Sequence, residues 1–543
     1  MRRLVATMLM TLALAGLHPT RGNAQTPAAL PAAAAPPGAA SAGGVILPRP
    51  ALQPNRPVRR LAIDEAVTLA LEQNLDLRVE RINPLIQDAF VAEARSVYTP
   101  ELSTTLTGDD WDRPAGNIFD GGDVVTNRFV QDDVGVVQQV PWKGGQYSAG
   151  WTGRRSTTTS VFTSFNPQLQ SNLNLNYTQP LVRNFGIDVF RQQIAISRAN
   201  RNLSDIELRR MVVGTERDVR NAYWQLVFAR SFLDVQRQSL ALAEESLRNN
   251  RTRVEVGTMA PIDIVEAENE VARNIETVIR AEADLERAED QLRTRVFDPR
   301  DTPDFWSISL QPSDSPVLQA REIDVDDAVR NALLNRTDLG TLDQNLEMTD
   351  TDIRYFRNQQ LPAVDLRVDY RLTGQGGERL IRAGGFPGTV VGTEQRSFGS
   401  TLGDILANEF PNWTVGVTVS YPFGTSAADA ALERSRLERS RNEASRRSLE
   451  LRIAAEVRDA ARSVRTNLQR VEATRVSREL AERRLEAEQR KFEVGLSTNF
   501  LVFQAQRDLA TARNTEQQAI LDYIRSLVDF EAVQEIPLGG VIP

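Results

Sequence analysis

The sequence predicts a mainly α-helical, internally duplicated protein that also carries a membrane β-barrel portion. Three observations lead there. Arg191–Arg295 and Ala427–Phe530 are charged, Ala-rich helical runs, each broken once, at Val256-Gly257-Thr258 and at Val494-Gly495-Leu496. The two breaks lie 238 residues apart, and the same offset pairs Val219 with Val457, Ala222 with Ala460, Leu247 with Leu485 and Ala267 with Ala505, as an internal repeat does. Ahead of each run lie short segments that alternate apolar with polar residues, the pattern of strands with two unlike faces.

The helical runs come first in the argument because they consume nearly half of the chain. Val219, Leu226, Leu233, Leu240, Leu247 and Val254 recur every seven residues, with Ala222, Ala229 and Ala243 three positions further on. Val457, Val464, Val471, Leu485 and Phe492 repeat the pattern, with Arg478 as its exception. This is the apolar seam of a long antiparallel helix pair, with small residues that permit close approach. A helix of about 67 residues before each glycine would be roughly 100 Å long, more than any compact domain needs.

Met1-Arg2-Arg3, the apolar segment Leu4–Leu17 and the small residues around Ala24 read as a secretory signal peptide over 1–24, with a single membrane anchor as the alternative. Its removal takes the formal charge from −8 to −11 and removes His18, the only histidine. With no cysteine in the chain, the remainder has no disulfide, thiolate nucleophile, imidazole base or His/Cys metal site. No catalytic residue, cofactor or metal is expected, and the acidity argues against nucleic acid as a partner. Residues 25–59 form an Ala/Pro-rich linker.

Residues 60–297 and 323–535 are the two structural repeats. In each, a short helix precedes the strands: Ala66-Val67 matches Ala328-Val329 and Pro100 matches Pro362. Asn83-Pro84 is the expected kink in the first short helix. The strands fall at 101–107 and 171–179 in the first repeat and at 364–372 and 413–421 in the second. Such strands suit a soluble sheet on a core, or a lipid-exposed barrel with a wet lumen; a leader and no further apolar helix favour the barrel. Four strands cannot close, and an open edge in lipid is forbidden, so the chain must pool strands with its copies; three would give twelve. A further alternating pair, 134–140 and 147–153, is either a hairpin above the membrane or two more strands per chain. Gly108–Gln131 and Gly374–Asn412 read as long outer loops. Trp111, Trp142, Trp151 and Trp413, with Tyr98, Tyr147 and Tyr421, are candidates for an interfacial girdle or for packing within loops.

The helical hairpins cover 190–297, with its tip at Gly257, and 427–533, with its tip at Gly495. In each repeat, two shorter helices stacked end to end match the length of the one long helix. Four rods per chain would then build a wall of twelve in a trimer. Residues 298–322 are expected to form an irregular belt between the repeats, and 536–543 a tail.

Over residues 60–535 this combination resembles the TolC family of trimeric outer-membrane efflux and secretion ducts. The most specific elements are the tips, Arg253-Val254-Glu255-Val256-Gly257-Thr258 with Asp263-Ile264, and Lys491-Phe492-Glu493-Val494-Gly495-Leu496. The resemblance implies a homotrimer with a 12-stranded barrel, about four strands per chain, in the outer membrane of a Gram-negative-type cell and in contact with its lipid. A helical tunnel would continue it into the periplasm. It further implies a periplasmic adaptor (membrane fusion) protein docked at the tips and tied to an inner-membrane transporter of the proton-driven RND or ATP-driven ABC type. Arg253, Val256, Gly257, Thr258, Lys491, Phe492, Val494, Gly495 and Leu496 would be the adaptor contacts. The duct would be passive and not an enzyme, passing drugs, other toxic small molecules or secreted polypeptides.

The family narrows its aperture with aspartates on the helix descending from the second tip. Here the matching positions are Leu501 and Gln504, while Asp263 and Glu266 stand at the corresponding places of the first tip. Any constriction would be steric at Leu501 and Gln504, or charged at Asp263 and Glu266. An envelope-spanning coiled-coil protein, or an adaptor-like module without a pore, is the competing reading of the hairpins.

Overall fold

The computed structural model describes residues 57–116, 120, 122–316, 321–385 and 388–536. The leader (1–24), nearly all of the linker (25–59) and most of the tail (536–543) lie outside the described residues. In chain order the elements are β1 (Val58–Leu61), α1 (Ile63–Gln73), α2 (Leu75–Ser96), β2 (Glu101–Pro114), β3 (Val124–Gln139), β4 (Gln146–Thr158), β5 (Phe165–Pro180), α3 (Val189–Glu255), α4 (Ile262–Val296) and β6 (Ser309–Pro312). The second half follows with α5 (Val325–Asn335), α6 (Thr337–Gln359), β7 (Ala363–Ala383), β8 (Thr389–Arg396), α7 (Phe398–Leu406), β9 (Pro411–Ser420), α8 (Ala427–Glu493) and α9 (Asn499–Ala532).

The long helices α3 and α8 have 67 residues each and run unbroken to their glycines. Asp188 caps α3 by accepting from the Arg191 N–H, and Ser426 and Asp429 form a reciprocal capping box on α8. The heptad residues Val219, Leu226, Leu233, Leu240 and Leu247 are buried with Ala222, Ala229 and Ala243. So are Val457, Val464, Val471 and Leu485. Arg478 fills its seam position by pairing with Glu516 of α9 at 2.6 Å and Glu482 at 3.0 Å.

The short helices break elsewhere than at the expected kink. Asn74 ends α1 and caps α2, its side chain accepting from the Leu77 N–H, whereas Pro84 sits buried inside α2. Arg336 separates α5 from α6 at the equivalent place. The belt is more ordered than expected: β1 pairs with β6 in parallel, and Leu61, Leu310 and Phe305 join Leu226, Leu292 and Phe297 in one core. Tyr223 latches this core, its hydroxyl 2.6 Å from the Asp314 carboxylate and 3.0 Å from the Leu61 carbonyl. Burial, then the Asp314 carboxylate, push that phenol up to about 12.

About four barrel strands per chain were expected; β2–β5 and β7–β9 form one seven-stranded sheet. Residues 134–140 and 147–153 belong to it, nearly all in β3 and β4, which pair antiparallel with each other and with β2 and β5. The stretches read as outer loops are likewise partly sheet, because β2 runs on to Pro114 and β7 to Ala383. The helix α7 folds back over β7. It packs so closely there that a Cβ on Gly374 would lie 1.9 Å from the Thr401 carbonyl oxygen. Among the described residues no helix is long and apolar enough to cross a membrane.

Leu226 is fully buried where α3 meets the belt. Leu226→Ala should therefore destabilise the helical part by about 2–5 kcal/mol, read as a shift of the denaturation midpoint. An unchanged midpoint would remove this core from the account of stability.

Candidate functional site

Each hairpin ends in the same hydrogen-bonded stop. At the first tip the Thr258 N–H donates to the Arg253 carbonyl at 2.9 Å and the Gly257 N–H to that of Val254 at 3.0 Å. At the second, Leu496 donates to Lys491 at 2.8 Å and Gly495 to Phe492 at 3.1 Å. This double bond pattern needs a left-handed residue after the helix, and Gly257 and Gly495 supply it at φ +77° and +80°. Two equal stops arise because the duplication copied the same Val-Gly step.

The tips present apolar side chains to solvent: Val256, Ile262 and Val265 on the first, Val494, Leu496 and Phe500 on the second. Leu496 is 80% exposed. An apolar cluster of this kind on a charged protein is a candidate contact surface. The tips also touch: the Arg253 guanidinium lies over the Phe492 ring, 5.0 Å from its centre. Lys491 pairs with Glu488 at 2.7 Å, and Ser497 donates to the same carboxylate at 2.8 Å. The Lys491 bond and, after it, the Ser497 bond hold the Glu488 carboxyl below its ordinary range. Thr258 adds a hydroxyl bond to the Arg253 carbonyl.

Of the four candidate aperture residues, Asp263 and Gln504 are half-buried, while Glu266 and Leu501 are exposed. No hydrogen bond or ion pair joins the Asp263 or Glu266 carboxylate to another described residue. The firmest polar link near the tips is a different one. Glu270, one turn above Glu266, is buried and accepts from Arg507 of α9 at 2.8 Å, so it ties the first hairpin to the second. Asn274 donates to the same carboxylate at 3.3 Å. Sequence reasoning missed this pair because no local pattern relates residues 237 positions apart.

The other candidate surface is the sheet. Its cross-strand rows are uniform: Leu102, Val136, Ala149, Leu175, Tyr370 and Trp413 are successive partners, and so are Thr104, Val134, Trp151, Leu173 and Leu372. Tyr147, Tyr177, Val368 and Val415 form the neighbouring row. The opposite face carries Asn172, Asn174, Asn176, Arg367, Asp369, Arg371 and Thr414. Several of these residues line a concave cavity, where Arg371 donates to Asn174 at 2.7 Å and Arg367 pairs with Asp369 at 2.9 Å. Of the aromatic residues considered for a girdle, Tyr147, Trp151 and Trp413 stand in the apolar rows. Trp111 falls on the other face, opposite Asn127, and Trp142 lies in the turn between β3 and β4.

Removing the buried Glu270–Arg507 link should free the tips. Arg507→Ala or Glu270→Gln should broaden the distance distribution between spin labels at Glu255 and Ser497, with little effect on total helicity. A distribution as narrow as in the unaltered chain would show that the link holds nothing.

No curated protein matches the chain. Among solved structures, the outer-membrane channel OprN superposes with a TM-score of 0.61 at 16% identity, over 87% of this chain and 89% of that one. The Campylobacter jejuni CmeC outer membrane channel gives 0.60 at 16% over 87% and 85%. The outer membrane protein VceC from Vibrio cholerae gives 0.60 at 12% over 87% and 96%. These likenesses establish the fold. A family model described as "Outer membrane efflux protein" matches residues 140–296 and 328–533, which span both helical hairpins and most of the sheet. The chain belongs to the outer membrane efflux protein family.

Proposed function

We propose that three copies of this chain pool their strands into one closed barrel in the outer membrane and their hairpins into a periplasmic tunnel. The assembly is a passive exit duct for drugs, other toxic small molecules or secreted polypeptides. The observation that carries the reading is the two-faced sheet, apolar on one face and polar and charged on the other, ending in two exposed edges. Such a sheet is stable in lipid only as part of a closed wall.

The apolar tips around Gly257 and Gly495 are the docking surface for a periplasmic adaptor coupled to an inner-membrane pump, which supplies the energy. Asp263 and Glu266, unpaired on one helix face, line the aperture with charge, and Leu501 and Gln504 narrow it. The protein is not an enzyme; its work is to hold a water-filled path open through oil.

Purified protein in planar bilayers should pass ionic current, and a sealed bilayer would sink the duct reading. Asp263→Asn with Glu266→Gln should lower cation preference in the same recordings; unchanged selectivity places the two carboxylates away from the bore. Gly495→Trp forces a side chain onto a left-handed residue. It should reduce efflux-dependent resistance while trimers persist on native gels, and full resistance would remove the tip from docking.

A further inference from the structure

The strand count bears on how wide the duct is. At the level shared by all strands the sheet runs β2, β3, β4, β5, β7 and β9, with β8 pairing only the outer half of β7. We propose that each copy contributes six strands to the wall, so that three copies close an 18-stranded barrel. The proposal rests on the reading of the chain as a trimeric duct and fixes its bore.

Three observations support it. First, β3 and β4 continue the apolar face in phase: Val136 and Ala149 fall in the row of Leu102, Leu175, Tyr370 and Trp413, and Val134 and Trp151 in the next, with Leu173 and Leu372. Asp133, Ser148, Gly150, Thr152 and Arg154 fall with Asn172, Asn174 and Asn176 on the other face. A hairpin standing in water has no reason to keep that phase.

Second, the turn between β3 and β4 is fastened at the helical end of the sheet. Gln179 donates to the Lys143 carbonyl at 2.7 Å and Arg191 of α3 to that of Pro141 at 3.3 Å. The Lys143 ammonium lies 4.2 Å from the Phe185 ring centre. The pair therefore returns all the way to the base of the sheet, and β2 reaches β5 only through it.

Third, the strand ends climb steadily. β3 extends two residues below the start of β2, β5 two below β4, and β7 two below β5. The ends of β3 and β4, and of β7 and β9, are level. That stagger of six residues over five strand spacings is about 20 Å in about 24 Å, a tilt of about 40°, inside the range for closed barrels. At this tilt eighteen strands have a circumference of about 110 Å and twelve only about 75 Å. Twelve helical rods set 8–10 Å apart need about 95–120 Å. Six strands per copy therefore join the tunnel without a waist, and the bore, backbone to backbone, is about 36 Å across against about 24 Å for twelve strands. Its mixed-charge lining does not select by sign, so cargo size is what the wider wall relaxes.

The chain contains no cysteine, so single substitutions can be spin-labelled in the full-length protein reconstituted into phosphatidylcholine–phosphatidylglycerol vesicles. Nitroxides at Val134→Cys, Val136→Cys and Ala149→Cys should be relaxed several-fold more by dissolved oxygen than by a water-soluble nickel chelate, as at Leu175→Cys and Val417→Cys. Asp133→Cys and Ser148→Cys should show the reverse. Nickel accessibility at 134, 136 and 149 with lipid exposure kept at 175 and 417 overturns the six-strand wall and leaves the duct reading standing. Water exposure at 175 and 417 as well overturns both. Electron microscopy of the unaltered trimer gives an independent count, since twelve strands would also refute the proposal.

Discussion

An unpaired peptide group in hydrocarbon costs several kcal/mol, and this constraint governs the design of the chain. Among the described residues β2 pairs only with β3 and β9 only with β7, so one edge of each has no neighbouring strand, and both strands are exposed along nearly their whole length. Leu102, Leu106, Val417 and Val419 lie exposed on them, the arrangement soluble proteins avoid because it invites edge-to-edge pairing. In the proposed trimer this liability becomes the assembly signal. One edge ends the sheet at each side, so in that proposal each copy satisfies its neighbour around a ring.

The helical half answers a different demand. A rod wetted over much of its surface cannot bury a broad apolar face, so cohesion is confined to a narrow seam of Val, Leu and Ala, with the remaining surface charged. Many ion pairs cross between rods, among them Arg439–Asp350, Arg446–Asp343 and Arg237–Glu282. Exposed pairs of this kind contribute at most about 1 kcal/mol each, so the seam and the belt core dominate stability. The belt matters because it is where α1 and α2, or α5 and α6, change direction against a continuous long helix.

What could be read from sequence follows from range. Period seven, the glycine stops and the duplicated Ala66-Val67 step are local signals, and the helices and tips were legible from them. β3 and β4 were half-legible: Gly135, Gly150, Gly153 and the polar Asp132 interrupt the alternation, and nothing local says which strands neighbour them. α7 was hidden in a Gly-rich stretch, since Phe398–Leu406 is only nine residues long and owes its place to Gly374 on another strand. The Glu270–Arg507 link was illegible for the same reason, as it depends on how two separate hairpins are set side by side. Asn74 outranked Pro84 as the helix break because a capping side chain ends a helix actively, while Pro84 gives up one backbone bond inside α2 and the helix runs on past it to Ser96.

Arg478 is the one charged residue at a seam position otherwise reserved for Val and Leu, and its partner Glu516 sits on the returning helix. A hydrocarbon seam alone tolerates sliding, because one heptad looks much like the next. Displacing α8 against α9 by one heptad, about 10 Å, would carry the guanidinium away from Glu516, leaving Arg478 with Glu482 of its own helix and taking from Glu516 its partner across the seam. The pair thus works as an axial key, giving up some cohesion so that the second hairpin always terminates at the same depth as the first. Two ends proposed to meet a single partner together cannot be left to a zipper that closes equally well one tooth out of step.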